Sequence, residues 1–212
     1  MNAQQVLEVL REVGAVITNS HLVYASGRHG SAYVNKDAVY PHTRQASMLA
    51  RAIAERFFFG KVIDAVVAPA VAGCILSSRV ADHLCALTGR DVLAIYADKD
   101  GDNFVIKRGQ DKLIAGKSVL VVEDVLTTGA SARKVVEEVR RLGCNVVGLG
   151  VLCNRGGVTP ENVGGVPELT ALVNVSLDSW EEADCPLCAQ GVPINTDVGK
   201  GREFLAKRAG KS

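Results

Sequence analysis

Residues 119–131 read Val119-Leu120-Val121-Val122-Glu123-Asp124-Val125-Leu126-Thr127-Thr128-Gly129-Ala130-Ser131. An apolar run opens the stretch, two carboxylates interrupt it, and a turn rich in hydroxyls and glycine closes it where an amphipathic run begins. A run of that kind suits a strand of a parallel sheet covered on both faces, and the turn marks a strand-to-helix junction. The first backbone N–H groups of a helix lack intrahelical partners, the helix dipole favours an anion there, and Thr and Ser hydroxyls add donors. Residues 127–131 therefore read as a phosphate cradle, with Gly129 letting the backbone turn tightly. Glu123 and Asp124 would repel a plain phosphate. They suit a ligand that also offers hydroxyls or a divalent cation, as a ribose phosphate does, and ligands of open α/β sheets bind beyond the carboxyl ends of strands.

Outward from this stretch the chain is rhythmic. Apolar runs at Val62–Ala68, Asp91–Ala97, Ser118–Val122 and Val146–Leu152 predict four strands, and Leu169–Val175 predicts a further one. Helical spacing recurs over residues 4–13, 45–59 and 73–87. Residues 132–142 form the clearest amphipathic segment, with Val135, Val136, Val139 and Leu142 inward and Arg133, Lys134, Glu137, Glu138, Arg140 and Arg141 outward; Gly143 ends it. Strands alternating with amphipathic helices predict an α/β fold around a parallel sheet. Residues 98–116 break the rhythm: they are rich in charge and glycine, with one hairpin-like piece at Phe104-Val105-Ile106. A connection this long is expected to be a functional lid or a disordered linker.

The 212 residues suit a single α/β domain with a small accessory piece. A hydrophobic share of 48% against 22% charged residues describes a chain that buries a core. Its 24 basic and 23 acidic residues leave a formal net charge of +1, which argues against a nucleic-acid binder. No apolar run reaches the roughly 18 residues of a membrane span, and the N-terminus does not read as a secretory signal. A cytoplasmic setting with free thiols at its six cysteines is expected.

Residues 119–131 resemble the donor-binding signature of type I phosphoribosyltransferases, which use 5-phosphoribosyl 1-pyrophosphate (PRPP). Ser26-Gly27-Arg28-His29-Gly30-Ser31-Ala32-Tyr33-Val34-Asn35 is similar to the base-enclosing segment of the orotate branch. Ala68-Pro69-Ala70-Val71-Ala72-Gly73 sits where the family has its pyrophosphate loop, Tyr96-Ala97-Asp98-Lys99-Asp100 where its mobile catalytic loop opens, and Asn154-Arg155-Gly156-Gly157 where an arginine reaches the base. The pattern departs at Ala25, where many orotate enzymes carry lysine, at Val71-Ala72, where many have Tyr-Lys, and at Asp98, where the usual loop residue is arginine. Lys107 and Arg108 are candidates for the missing cations.

The resemblance implies a Rossmann-like type I fold. It consists of an N-terminal hood (1–44), a core sheet (45–176) with a flexible catalytic loop (98–116), and a C-terminal tail (177–212). It implies an orotate phosphoribosyltransferase that makes orotidine 5′-phosphate and pyrophosphate in pyrimidine biosynthesis. Transfer to another base such as a purine, or a non-catalytic PRPP-sensing regulator, are the alternatives. Catalytic residues would be Lys99 and Asp124. PRPP would be held by Lys99, Glu123, Asp124, Val125, Leu126, Thr127, Thr128, Gly129, Ala130 and Ser131, and the base by Thr127, Arg155 and Tyr33. Mg²⁺ would enter with PRPP or pyrophosphate. A homodimer is implied, with Lys99 reaching the partner subunit's site, and neither nucleic acid nor membrane is an expected partner.

Three signals are set aside. Gly116-Lys117-Ser118 lacks the first glycine of a phosphate-binding P-loop, and Gly148-Leu149-Gly150 falls inside a strand without a third glycine. Cys185-Pro186-Leu187-Cys188 has a spacing that binds zinc or serves redox exchange, but no second such pair or nearby histidine completes a ligand set in the sequence. Two copies across a dimer would give four sulfurs; the simpler reading is a turn with two free thiols, and no protein-held metal site is expected. His21, His29 and His42 read as surface or hydrogen-bonding residues, and Trp180 as an anchor for the tail.

Overall fold

The computed structural model describes residues 1–24, 26–175 and 178–210. Ala25 therefore lies outside the described residues. The chain divides into two compact units: Met1–Val6 with Tyr40–Val175, and Leu7–Val39 with the described residues of Ser176–Ser212. Of the expected hood, Leu7–Val39 falls in the smaller unit with the described residues of the expected tail, while Met1–Val6 and residues 40–44 fall in the larger.

The larger unit is built on a six-stranded sheet. Its strands are β1 (Ala65–Pro69), β2 (Leu93–Asp100), β3 (Asn103–Val105), β4 (Ser118–Leu126), β5 (Asn145–Asn154) and β6 (Leu169–Asn174). They lie in the order β6-β5-β4-β1-β2-β3, parallel throughout except for the antiparallel pair β2–β3. The central strands are apolar because both faces are covered: every residue of β1 is buried, as are Val119–Val122 on β4. Helix α1 (Thr43–Phe57) packs on α2 (Gly73–Thr88). On β5, added Cβ atoms at Gly148 and Gly150 would stand 2.5 Å from the Phe57 ring and 2.6 Å from Ile53. Those glycines let α1 approach the strand closely, which is their role in place of a nucleotide fingerprint.

Helix α4 (Ala130–Arg141) seats Ala132, Val135, Val136 and Val139 in a core with Val67, Val119, Val121 and Leu149. A short helix α3 (Gln110–Ile114) adds Ile114 to the same core.

Two expectations change. Strand β4 does not stop at Val122 but runs to Leu126, because parallel pairing with β5 continues to Leu126↔Asn154 and absorbs both carboxylates into the sheet. Glu138 does not face outward. It is 6% exposed, and its carboxylate accepts the Ile106 backbone N–H at 2.9 Å and two bonds from Arg141 at 2.6 and 2.9 Å. Residues 98–116 contain a hairpin and the short helix α3. Asp98, Lys99 and Asp100 pair with Val105, Phe104 and Asn103 across a two-residue Gly101-Asp102 turn, with Gly101 at φ +59°.

In the smaller unit all strands are two residues long. Leu22–Val23, His29–Gly30 and Ser179–Trp180 form an antiparallel sheet with His29–Gly30 in the centre, and Val16–Ile17 pairs with Tyr33–Val34. Arg28 ties the C-terminal segment in, donating from its guanidinium to the Ser179 hydroxyl at 3.0 Å, to the Ser179 carbonyl at 2.7 Å and to Glu181. Trp180 anchors the C-terminal segment as a strand residue opposite His29. Among the described residues, no helix is long and apolar enough to cross a membrane.

Candidate active site

The chain leaves β1 toward β2 on one side and returns to β4 on the other, so the order reverses between β1 and β4. A crevice at such a switch point, beyond the carboxyl ends of the strands, is where open α/β sheets take their ligands. Glu123 and Asp124 lie at that end of β4, 7% and 3% exposed. Backbone amides orient them: Asp124 N–H donates to Glu123 Oε1 at 3.1 Å, and Val125 N–H to Asp124 Oδ1 at 2.7 Å. The Tyr40 hydroxyl reaches Asp124 Oδ2 at 3.5 Å. Nothing in the sequence singled out Tyr40; its approach depends on the path of the segment before α1.

Directly beyond the carboxylates, Thr127, Thr128, Ala130 and Ser131 are exposed at the first turn of α4. Gly129 caps that helix at φ +78°. A Cβ there would lie 2.8 Å from Val163 and 2.9 Å from Val158, so the turn requires glycine both for its backbone angle and for its packing. Thr128 Oγ1 accepts the Ala130 N–H at 3.3 Å. The side chain of Leu126 is buried in the core and that of Val125 is half-buried, so this pair offers a ligand mainly its backbone.

Arg155 follows β5, and its Nε donates to Thr127 Oγ1 at 2.9 Å. Three features fix that loop. The Arg155 and Gly156 amides both donate to the Leu126 carbonyl, at 3.0 and 3.2 Å. Asn154 clamps the loop through Val158, donating to its carbonyl at 2.8 Å and accepting its N–H at 3.1 Å. Gly156 passes so near Thr127 that an added Cβ would fall 1.6 Å from the Thr127 carbonyl oxygen. Asn154 and Gly156 were legible only as neighbours of Arg155. Cys153, just before them, is a buried thiol pushed up to about 11 by desolvation, and so carries no nucleophilic role.

Lys99 is exposed near the end of β2, one of the strands whose carboxyl ends share this edge. The cations proposed to support it are already engaged: Lys107 with Asp100 at 3.2 Å and Arg108 with Asp98 at 3.8 Å. The hairpin is held to α4 by the Glu138–Ile106 bond and by Lys134, which donates to the Asp102 carbonyl. Burial alone would raise the Glu138 carboxyl, but the Arg141 and Ile106 hydrogen bonds outweigh it and hold it below its ordinary value. The helix that begins behind the Thr127–Gly129 turn therefore also carries the hairpin. Tyr33 belongs to the smaller unit, half-buried on its two-residue strand.

The phosphoribosyl transferase domain matches residues 35–180 of this chain. Curated orotate phosphoribosyltransferases align over nearly its whole length. That of Caldanaerobacter subterraneus is 33% identical, covering 92% of this chain and 96% of the relative. That of Thermus thermophilus is 35% identical, covering 89% and 97%. The chain belongs to the type I phosphoribosyltransferase family, on its orotate branch. The family fold extends to solved structures. The Mycobacterium tuberculosis orotate phosphoribosyltransferase matches with a TM-score of 0.66 at 22% identity, covering 82% of this phosphoribosyltransferase and 96% of that chain. An adenine phosphoribosyltransferase from Thermoanaerobacter pseudethanolicus matches with a TM-score of 0.58 at 15% identity, covering 82% and 100%.

Proposed function

We propose that this phosphoribosyltransferase transfers the 5-phosphoribosyl group of PRPP to orotate, giving orotidine 5′-phosphate and pyrophosphate. The observation that carries the reading is the sequence of groups along one edge: two buried carboxylates, then the Thr127–Ser131 turn, then Arg155 bonded to Thr127. Its 33% and 32% identity to two curated orotate enzymes, aligned over 92% of the chain, supports the choice of base.

In this reading the exposed turn 127–131 holds the 5-phosphate and Glu123 and Asp124 accept hydrogen bonds from the ribose diol. The arginine fork suits the carboxylate and carbonyl edge of orotate, with Thr127 as its companion. Bond breaking at C1 builds oxocarbenium character on the ribose while charge grows on the departing pyrophosphate. The chain's part is positioning and charge stabilisation: the carboxylates fix the ring, and Lys99 meets the pyrophosphate from the hairpin. Carboxylates and hydroxyls are the hard oxygen donors Mg²⁺ takes, so Glu123 and Asp124 fit a shared ion that, when bound with the donor, neutralises the leaving group. Closure of the hairpin excludes water and protects the donor from hydrolysis. A homodimer in which Lys99 serves the partner subunit's site completes the reading.

The deciding experiment supplies Mg²⁺, PRPP and single bases and follows pyrophosphate release. Turnover with orotate is expected. Turnover with hypoxanthine or adenine but not orotate overturns the choice of base, and PRPP binding without turnover on any base makes the chain a sensor.

A further inference from the structure

Cys185-Pro186-Leu187-Cys188 lacks a ligand partner in the sequence but not in space. His21 and His29, more than 150 positions away, lie beside it in the smaller unit, and the ligand atoms of all four side chains fall within 4.8 Å of one another. The two histidines are buried, 2% and 0% exposed, and so are not surface residues; Cys185 is 2% exposed.

The hydrogen bonds determine which atoms face the centre. His21 Nδ1 lies 2.7 Å from the Val192 carbonyl, and a carbonyl only accepts, so Nδ1 carries the proton and Nε2 of the neutral ring keeps its lone pair. That Nε2 is 3.6 Å from the sulfur of Cys185, 3.6 Å from that of Cys188 and 2.9 Å from His29 Nδ1. His29 Nδ1 is 3.3 Å from the Cys188 sulfur. A tetrahedral ion with bonds of about 2.3 Å to sulfur and about 2.0 Å to nitrogen sets N and S roughly 3.5 Å apart. Three N–S distances of the cluster, 3.6, 3.6 and 3.3 Å, already come near that edge. A ligating histidine whose other nitrogen donates to a backbone carbonyl is the usual second support of such a site.

His29 supplies the independent observation. Its Nε2 is the one buried side-chain nitrogen or oxygen without a hydrogen-bond partner among the described residues. Without an ion, donation from His29 Nδ1 to His21 Nε2 leaves His29 Nε2 as a buried lone pair with no partner, which is costly. With an ion at the centre the proton moves to Nε2. The Phe204 ring packs beside the imidazole, its centroid 5.0 Å away and its plane at 82°.

We propose that His21 Nε2, His29 Nδ1 and the thiolates of Cys185 and Cys188 bind one Zn²⁺ as a closed structural site. Four protein ligands leave no open position for substrate, so the site is structural and not catalytic. Its work is to clamp residues 185–188 to residues 21 and 29 in a unit whose strands are only two residues long. A core of that size needs a staple. A cleft of about 630 Å³ walled in part by His21 and Cys188 gives the ion a way in. The proposal stands whether or not the chain acts on orotate.

The test uses the full chain, purified under reducing conditions. Elemental analysis is expected to find about one zinc per chain. Replacement by Co²⁺ should give the visible bands of a tetrahedral ion and a thiolate-to-cobalt charge-transfer band. Stripping the wild type with a chelator should lower its melting temperature, and Zn²⁺ should restore it; this arm does not depend on any variant folding. Cys188→Ser and His29→Ala should lose the ion, and Cys144→Ser should keep it. A chain that stays metal-free with Zn²⁺ present overturns the proposal. So does a cobalt spectrum without thiolate bands, a disulfide between Cys185 and Cys188 as the native state, or zinc retained by a Cys185→Ala/Cys188→Ala chain.

Discussion

Arg155 Nε donates to Thr127 Oγ1 at 2.9 Å, joining the loop after β5 to the turn that caps α4. The residue proposed to read the base is thus aimed by a residue of the proposed phosphate cradle. Arg155→Lys keeps the charge but loses the planar fork. Steady-state kinetics should show the KM for orotate rising by about ten- to a hundredfold, with PRPP binding little changed. An unchanged orotate KM removes Arg155 from base recognition.

Glu138 links stability to the loop. Its carboxyl is held below the ordinary value in the folded chain, so its stabilising contribution is full above the ordinary glutamate range and fades as the pH falls through the lowered folded value. Glu138→Ala leaves the Ile106 N–H without this acceptor and should cost about 1–3 kcal/mol at neutral pH. In urea titrations the gap between wild type and variant should hold near pH 7 and close under acid. A gap independent of pH would mean packing, and not the carboxylate, is responsible.

Lys99→Ala should leave the fold intact and lower turnover by about a hundredfold. Mixing that chain with Asp124→Asn tests whether the loop serves a neighbour. If loops cross between subunits, hybrids of the two inactive chains regain one complete site, and a random mixture should recover about a quarter of wild-type activity. A mixture as inactive as its parents places Lys99 in its own subunit's site.

Gly156→Ala would put a methyl group where the Thr127 carbonyl oxygen already is. The loop must shift, at a cost of about 1–3 kcal/mol, and Arg155 with it. Thermal melts should fall and orotate KM should rise together. A stable variant with normal kinetics would show that the loop's path does not matter.

The sheet and its helices were legible because both faces of each central strand are covered, which leaves near-continuous apolar runs such as Val119–Val122. The carboxylates and the turn behind them were legible because they are contiguous. What the sequence hid came from pairing between distant segments. Strand β4 continues through Glu123 and Asp124 because β5 lies beside it, a tertiary effect that a local charge pattern reads as an end. Glu138 looked like one of several charged residues on the outer face of its helix until the β2–β3 hairpin folded over it. Tyr40 and Asn154 act on residues far away or in a loop whose course no spacing encodes. The pairing of Ser179–Trp180 with His29–Gly30 in one three-stranded sheet is hidden for the same reason.

Between residues 98 and 108 the hairpin carries three acids, Asp98, Asp100 and Asp102, against three bases, Lys99, Lys107 and Arg108. Lys107 and Arg108 are held within it by Asp100 and Asp98. A segment without net charge draws a polyanion weakly from a distance. In the proposed reading, capture of the donor would fall to the turn at residues 127–131, and the loop would engage at short range by trading one ionic partner for another. Added salt should weaken the resting pairs and the engaged ones alike, leaving the rate of loop closure nearly indifferent to ionic strength.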